Sequence, residues 1–262
     1  MARLGQHFLT DPGTVGRIIA AAAISPGEDV VEIGPGKGVL TRALLQAGAK
    51  VTAVELDARL CESLKKDCAG FLEESPPRLS LVRADFLKLD PAGLPSPCAV
   101  VANLPYAVAS PILQKILSGP GWTRAVLMFQ KEVAERILAR PGSRDYGVLT
   151  LSVLLKARAE LVCGVPRAFF TPRPAVDSAV VRFDPLPRPP LPSGLSEEAF
   201  MSVVRAAFMH RRKRAANSLS RALKVPRERA EAALEEAGLP PHARAEEAPF
   251  EAFIRVAGAL GN

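Results

Sequence analysis

Three histidines and four cysteines are all that this 262-residue chain offers as soft metal ligands, and they are scattered. His7, His210 and His242 lie far apart, and Cys61, Cys68, Cys98 and Cys163 have neither metal-ligand nor redox spacing. No metal site is expected, and the thiols read as reduced and buried. Long apolar runs are missing too: no stretch reaches the roughly eighteen residues a membrane-spanning helix needs. The alanine-rich run Ile18 to Ile24 is short, ends at Ser25-Pro26-Gly27, and reads as a buried helix. The opening Met1-Ala2-Arg3-Leu4-Gly5-Gln6 has no signal-peptide character, so a soluble cytoplasmic chain without a membrane partner is expected. Asn and Gln are few beside 24 prolines, a balance that fits a heat-adapted protein.

Acids are missing from one stretch in particular. Between Arg205 and Arg227 there is none, while Arg211, Arg212, Lys213, Arg214, Arg221 and Lys224 crowd into the same segment. Overall, 34 Lys and Arg against 27 Asp and Glu leave a net charge of +7, which favours a polyanionic partner. A solvated helix face is the plain alternative for a charge run. Without acids to pair at helical spacing, phosphate contact by Arg211, Arg212, Lys213 and Arg214 is the preferred expectation.

Hydrophobic residues make up 48% of the chain, ample for a buried core. Strands are expected over Glu28–Ile33, Lys50–Glu55, Leu79–Ala84, Cys98–Ala102 and Arg124–Phe129. Helical patterns fall between and after them, at Val39–Ala47, Ala58–Phe71, Ser110–Leu117 and Gln130–Ala139. Such alternation builds a doubly wound, mostly parallel Rossmann-like α/β sheet. A further helix, Gly147–Lys156, precedes two β-rich runs, Leu161–Val165 and Ser178–Phe183, spaced to close the sheet like a hairpin. The proline-rich run from Asp184 to Gly194 then reads as an extended linker, and only helices follow. Residues 1–184 are therefore expected to form one domain, 185–195 a linker, and 196–262 a small all-helical domain.

Two motifs carry chemistry, each at the end of an apolar run. The first is Glu32-Ile33-Gly34-Pro35-Gly36-Lys37-Gly38. Gly34 and Gly36 let backbone approach a ligand, but the third glycine of a dinucleotide fingerprint is not in its usual place. A carboxylate at Glu32 suits an ammonium group better than a phosphate. Glu55, about twenty residues on at the next strand end, stands where ribose hydroxyls are accepted, and Asp85 after the third strand can accept from an adenine amine. The second motif is Asn103-Leu104-Pro105-Tyr106. Its side-chain oxygen and backbone carbonyl can hold the two hydrogens of a planar amine, whose lone pair is otherwise delocalised. Tyr106 offers a face to a base drawn from its stack. Together these describe S-adenosylmethionine held beside a clamp for an adenine amine.

The motifs resemble those of the ribosomal RNA small-subunit adenine dimethyltransferase family over nearly the whole chain. Beyond the two above, the likeness rests on Gly5-Gln6-His7-Phe8-Leu9, Phe129-Gln130-Lys131-Glu132-Val133-Ala134, the run Phe169 to Ala179, and Phe208-Met209-His210-Arg211-Arg212-Lys213. The resemblance implies a class I methyltransferase sheet in which His7 and Leu9 close over the cofactor, with Gly34, Glu55, Asp85 and Asn103 lining its site. Phe170 would stack on the target adenine opposite Tyr106. His7 stands where family members often carry asparagine, which points to a cofactor contact through its backbone. The implied substrate is small-subunit (16S) ribosomal RNA, dimethylated at two adjacent adenines of a hairpin loop near its 3′ end within an assembly intermediate, by a monomeric enzyme.

Three other readings compete. A non-catalytic assembly or transcription factor could keep the same fold, though an intact Asn103–Tyr106 clamp argues against lost catalysis. A large-subunit resistance methylase would share the catalytic domain; Arg211-Arg212-Lys213 with Asn217 favours the small-subunit enzyme. A nicotinamide dehydrogenase is disfavoured by the missing glycine and by the lack of a histidine near a strand end to relay protons.

Overall fold

The computed structural model describes residues 6–210, 213–240 and 242–261. The chain divides into two compact units, one of residues 1–134 and 158–185, the other of 135–157 and 186–262. In the first, helix α1 (Pro12–Ala22) starts on Asp11, whose carboxylate accepts the Thr14 amide at 2.7 Å, followed at once by a proline. Strands β2 (Asp29–Ile33), β3 (Lys50–Glu55), β4 (Leu79–Arg83), β5 (Cys98–Asn103) and β6 (Trp122–Gln130) follow, after the short β1 (Phe8–Leu9). Helices α2 (Val39–Gln46), α3 (Ala58–Asp67), α4 (Ala69–Leu72), α5 (Ala109–Ser118) and α6 (Lys131–Ile137) lie between or after them. The expected helix over Ala58–Phe71 is thus broken at Cys68, which leaves helical geometry with φ −123° and ψ 23°.

β7 (Ala157–Val165), β8 (Phe170–Thr171) and β9 (Ser178–Pro185) complete the unit. The large sheet runs β4-β3-β2-β5-β6-β9-β7. Its first five strands pair in parallel, and β9 runs antiparallel to β6. β7 and β9 are neighbours, as the two late β-rich runs suggested, but β7 starts four residues earlier than expected. Interior strands such as β5 are buried along almost their whole length, which is why they read as unbroken apolar runs. A separate two-stranded sheet pairs β1 antiparallel with β8, Phe8 opposite Thr171 and Leu9 opposite Phe170.

The second unit holds α7 (Val148–Leu154), α8 (Glu197–Phe208), α9 (Ala215–Leu223), α10 (Arg227–Glu236) and α11 (Phe250–Leu260). Ser196 caps α8 through the Ala199 amide at 3.1 Å, with Glu197 and Glu198 in the first turn. Phe200, Val204, Leu219, Leu234 and Phe253 form its core together with Tyr146, Leu151 and Leu155. Those last three explain why residues 135–157 group with the helices and not with the residues before them. The proline-rich run is no free tether: Leu191 and Leu195 pack against this helical core. No helix among the described residues is long and apolar enough to cross a membrane.

Candidate active site

From β2 the chain winds outward through β3 and β4, then returns to place β5 on the other side of β2. The reversal puts a topological switch point between β2 and β5, the place where open α/β sheets bind ligands beyond their carboxyl ends. Glu32 is in register with Val101, so Asn103 lies just beyond it in the strand direction. Here opens a cleft of about 730 Å³, solvent included, walled by His7–Leu9, the loop after β2, Glu55 and Asn103–Tyr106.

The loop after β2 is shaped by glycine. Gly34 (φ 68°) and Gly36 (φ 58°) both occupy the left-handed region. A Cβ on Gly36 would stand 3.0 Å from the Phe8 ring, so only glycine lets β1 and the loop meet. Glu55 fastens the turn. Its Oε2 accepts the Gly36 amide at 3.1 Å and its Oε1 accepts the Asp57 amide at 2.9 Å. Each carboxylate oxygen has a second lone pair, so hydroxyl donors can still be accepted.

Glu32 is 1% exposed, yet its Oε2 has no hydrogen-bond partner, and neither does the nearby Thr41 hydroxyl. Burial pushes its carboxyl up to about 7, Thr41 opposing and the Glu55 charge adding to the rise. A buried carboxylate with one oxygen left without a well-formed hydrogen bond is costly to ionise, and a cationic ligand in the cleft would complete it. The donor set, with Gly36 and Glu55, fits S-adenosylmethionine: an ammonium for Glu32 and ribose hydroxyls for Glu55.

Asn103 ends β5 and donates through Nδ2 to the His7 carbonyl at 3.2 Å. A carbonyl only accepts, so the amide group is oriented and Oδ1 remains as acceptor. Next to it, the Leu104 carbonyl receives no hydrogen bond among the described residues. Two acceptors therefore stand side by side at the cleft. Pro105 packs against Gly34, which a Cβ would bring to 3.9 Å from its ring. Tyr106 is half-buried, stacks on the His7 ring at 5.6 Å, and has its hydroxyl 2.8 Å from Ser178 Oγ. Burial raises the Tyr106 phenol above its ordinary value, the Ser178 bond acting against the rise. His7 engages by side chain as well as backbone, its Nδ1 donating to the Pro172 carbonyl at 2.8 Å.

The structure does not bring every expected residue into the cleft. The Asp85 carboxylate accepts the Leu87 amide at 3.0 Å, capping the turn that follows β4, and the residue is not part of the cleft wall. Phe170 is corrected outright: pairing with Leu9 turns it inward, 3% exposed in the apolar core, so no ring face is offered to a base. Its neighbour Phe169 is the more exposed of the two. Lys213 and Arg214 are exposed just before α9, while Arg211 and Arg212 lie outside the described residues. Phe8 and Lys37 belong to the cleft without having been singled out. The Lys37 ammonium stands 4.8 Å from the Phe8 ring centre, and no spacing in the sequence signals that pairing.

The mostly parallel sheet, the switch-point cleft and its glycine loop define a class I methyltransferase fold. The family model "Ribosomal RNA adenine dimethylase" matches residues 1–261. The "Ribosomal RNA small subunit methyltransferase A" of Synechococcus sp. (strain JA-3-3Ab) is 42% identical over 98% of this chain and 92% of its own length. That of Deinococcus radiodurans is 40% identical over 98% and 85%. Among solved structures, a dimethyladenosine transferase from Plasmodium falciparum is similar with TM-score 0.81, 30% identity, and coverage of 95% of this chain and 96% of that one. The 23S rRNA methyltransferase ErmE follows with TM-score 0.75, 34% identity, and coverage of 97% and 100%. The chain belongs to the ribosomal RNA adenine dimethylase family.

Proposed function

We propose that this protein transfers methyl groups from S-adenosylmethionine to the exocyclic amines of two adjacent adenines in a 3′-terminal hairpin loop of 16S ribosomal RNA. It acts as a cytoplasmic monomer on a maturing small subunit, in ribosome biogenesis. Family membership supplies the reaction class. The observation that carries the site assignment is the paired acceptor, Asn103 Oδ1 beside the Leu104 carbonyl, at the cleft that the unpartnered Glu32 carboxylate also lines.

Bound S-adenosylmethionine supplies a methyl group activated on sulfonium, together with its leaving group. Glu32 holds the ammonium end, Glu55 the ribose hydroxyls, and Gly34 and Gly36 allow backbone to close on the ligand. His7, just before β1, and Leu9 within it cover the ligand. Asn103 Oδ1 and the Leu104 carbonyl accept the two amine hydrogens of the target adenine. That contact strengthens as the nitrogen becomes pyramidal, so it lowers the barrier more than it tightens binding. The base must leave its stack to reach the clamp, and Tyr106 gives it a ring to lie on. Pro105 sets the backbone direction between carbonyl and ring. Arg211, Arg212, Lys213 and Arg214 neutralise phosphates and position the RNA.

The testing experiment is incorporation of labelled methyl groups into isolated small-subunit precursors, with the modified bases mapped by nuclease digestion. Dimethyladenosine at two neighbouring positions of one 3′-terminal hairpin is expected. Label confined to large-subunit RNA would replace the reading with that of a 23S methylase, and no label in either RNA would leave a binding factor.

A further inference from the structure

We propose that Ser178 is a positioning residue for the methyl-transfer reaction, fixing through its hydroxyl the ring plane of Tyr106. The assignment rests on the functional reading above, in which Tyr106 supports the target base. Tyr106 follows β5 in a single 3₁₀ turn, Tyr106–Val108, and is half-buried, so its backbone alone does not set its ring. Two contacts do. The His7 ring stacks on it at 5.6 Å with 30° between the planes, and the two hydroxyls, Tyr106 Oη and Ser178 Oγ, are 2.8 Å apart.

Ser178 is the rigid partner. It is 1% exposed and forms the last rung of the β6–β9 ladder, opposite Gln130. The residue before it is held at two points: the Asp177 carbonyl accepts the Lys131 amide at 2.9 Å, and its Oδ1 accepts the Arg167 amide at 2.9 Å. Arg167 in turn donates to the Ala175 carbonyl at 2.9 Å. A serine so fixed is a reference point from which a half-exposed ring can be aimed. That bond engages only one hydrogen of the hydroxyl pair, and the role assigned to Tyr106 is that of its ring face.

The test compares the wild type with Ser178→Ala, Tyr106→Phe, the double variant and Ser178→Thr on small-subunit precursor RNA. Ser178→Ala and Tyr106→Phe should each cut kcat about five- to tenfold, the scale of one lost hydrogen bond, with KM for S-adenosylmethionine unchanged. The double variant should be no slower than either single one, since all three lack the same bond. Ser178→Thr, which keeps the hydroxyl, should restore turnover, and the pH profile should keep its shape throughout. Thermal melting checks that each variant is folded. Additive losses, a changed KM for the cofactor or an altered pH profile would overturn the assignment while leaving an active methyltransferase. A folded wild type that methylates no RNA would overturn the functional reading and this assignment with it.

Discussion

The His7 carbonyl and the Asn103 side-chain amide are joined by a hydrogen bond of 3.2 Å across a sequence separation of 96 residues. The segment that forms one wall of the cleft thus also orients the Asn103 amide at its edge. Removing the amide should separate binding from chemistry. Asn103→Ala is expected to lower turnover by roughly a hundredfold or more while RNA affinity barely changes. Single-turnover kinetics beside filter binding of the same RNA checks it, and near-normal methylation would refute the role.

Glu32 is expected to make cofactor binding pH-dependent. Burial pushes its carboxyl up to about 7 from an ordinary 4.5, so the folded chain holds the proton more tightly than the unfolded one. Its contribution to stability is full below 4.5 and is lost as pH rises through about 7. Binding an ammonium requires the carboxylate. Affinity for S-adenosylmethionine should therefore climb with pH by up to about tenfold per unit and level off above about 7. Titration calorimetry across that range measures it. Glu32→Gln should bind weakly and with a flat profile over the same window.

Glu55 fastens the loop and is expected to hold the ligand as well. Glu55→Ala is expected to weaken S-adenosylmethionine binding by about 1–3 kcal/mol, the scale of a lost charged hydrogen-bond partner. The freed Gly36 and Asp57 amides should exchange with deuterium faster, a readout independent of the cofactor. Unchanged affinity with an intact fold would remove Glu55 from the site.

The basic segment before α9 should act on RNA regardless of sequence. Changing Arg211, Arg212, Lys213 and Arg214 to glutamine is expected to weaken target and unrelated hairpins alike. It should also reduce the slope of log affinity against log salt by about one unit per lost contact. Cofactor affinity should be untouched. Parallel salt plots for wild type and variant would mark the segment as a solvated surface.

What was legible in the sequence lies where one physical rule acts alone. β2, β3 and β5 are buried over most of their length, so largely apolar runs reveal them, and Glu32, Glu55 and Asn103 follow as the polar residues at or near their ends. Asp85 obeys a local rule that overlaps with this one: a carboxylate two residues before an amide caps the turn, which takes it from the cleft wall. Phe169 and Phe170 cannot be told apart by composition. Only the pairing of Leu9 with Phe170, across most of the first unit, decides which ring turns inward. The bond between Tyr106 and Ser178 is hidden for the same reason, since 72 residues separate its ends. The sequence places residues 135–157 with the sheet by continuity, whereas Tyr146, Leu151 and Leu155 bury themselves among the helices.

The small sheet of β1 and β8 has a consequence for how the protein comes into being. One wall of the cleft, built on β1, leaves the ribosome before its partners, Phe169 to Pro172, which come some 160 residues later. At synthesis rates of roughly 5–20 residues per second the N-terminal strand waits on the order of ten seconds or more for them. Until then neither the His7 imidazole nor the Thr10 amide has its acceptor, for both bonds end on that late segment. The cleft is therefore among the last parts of its unit to be finished, although one of its walls is made some 160 residues before the other elements that hold it.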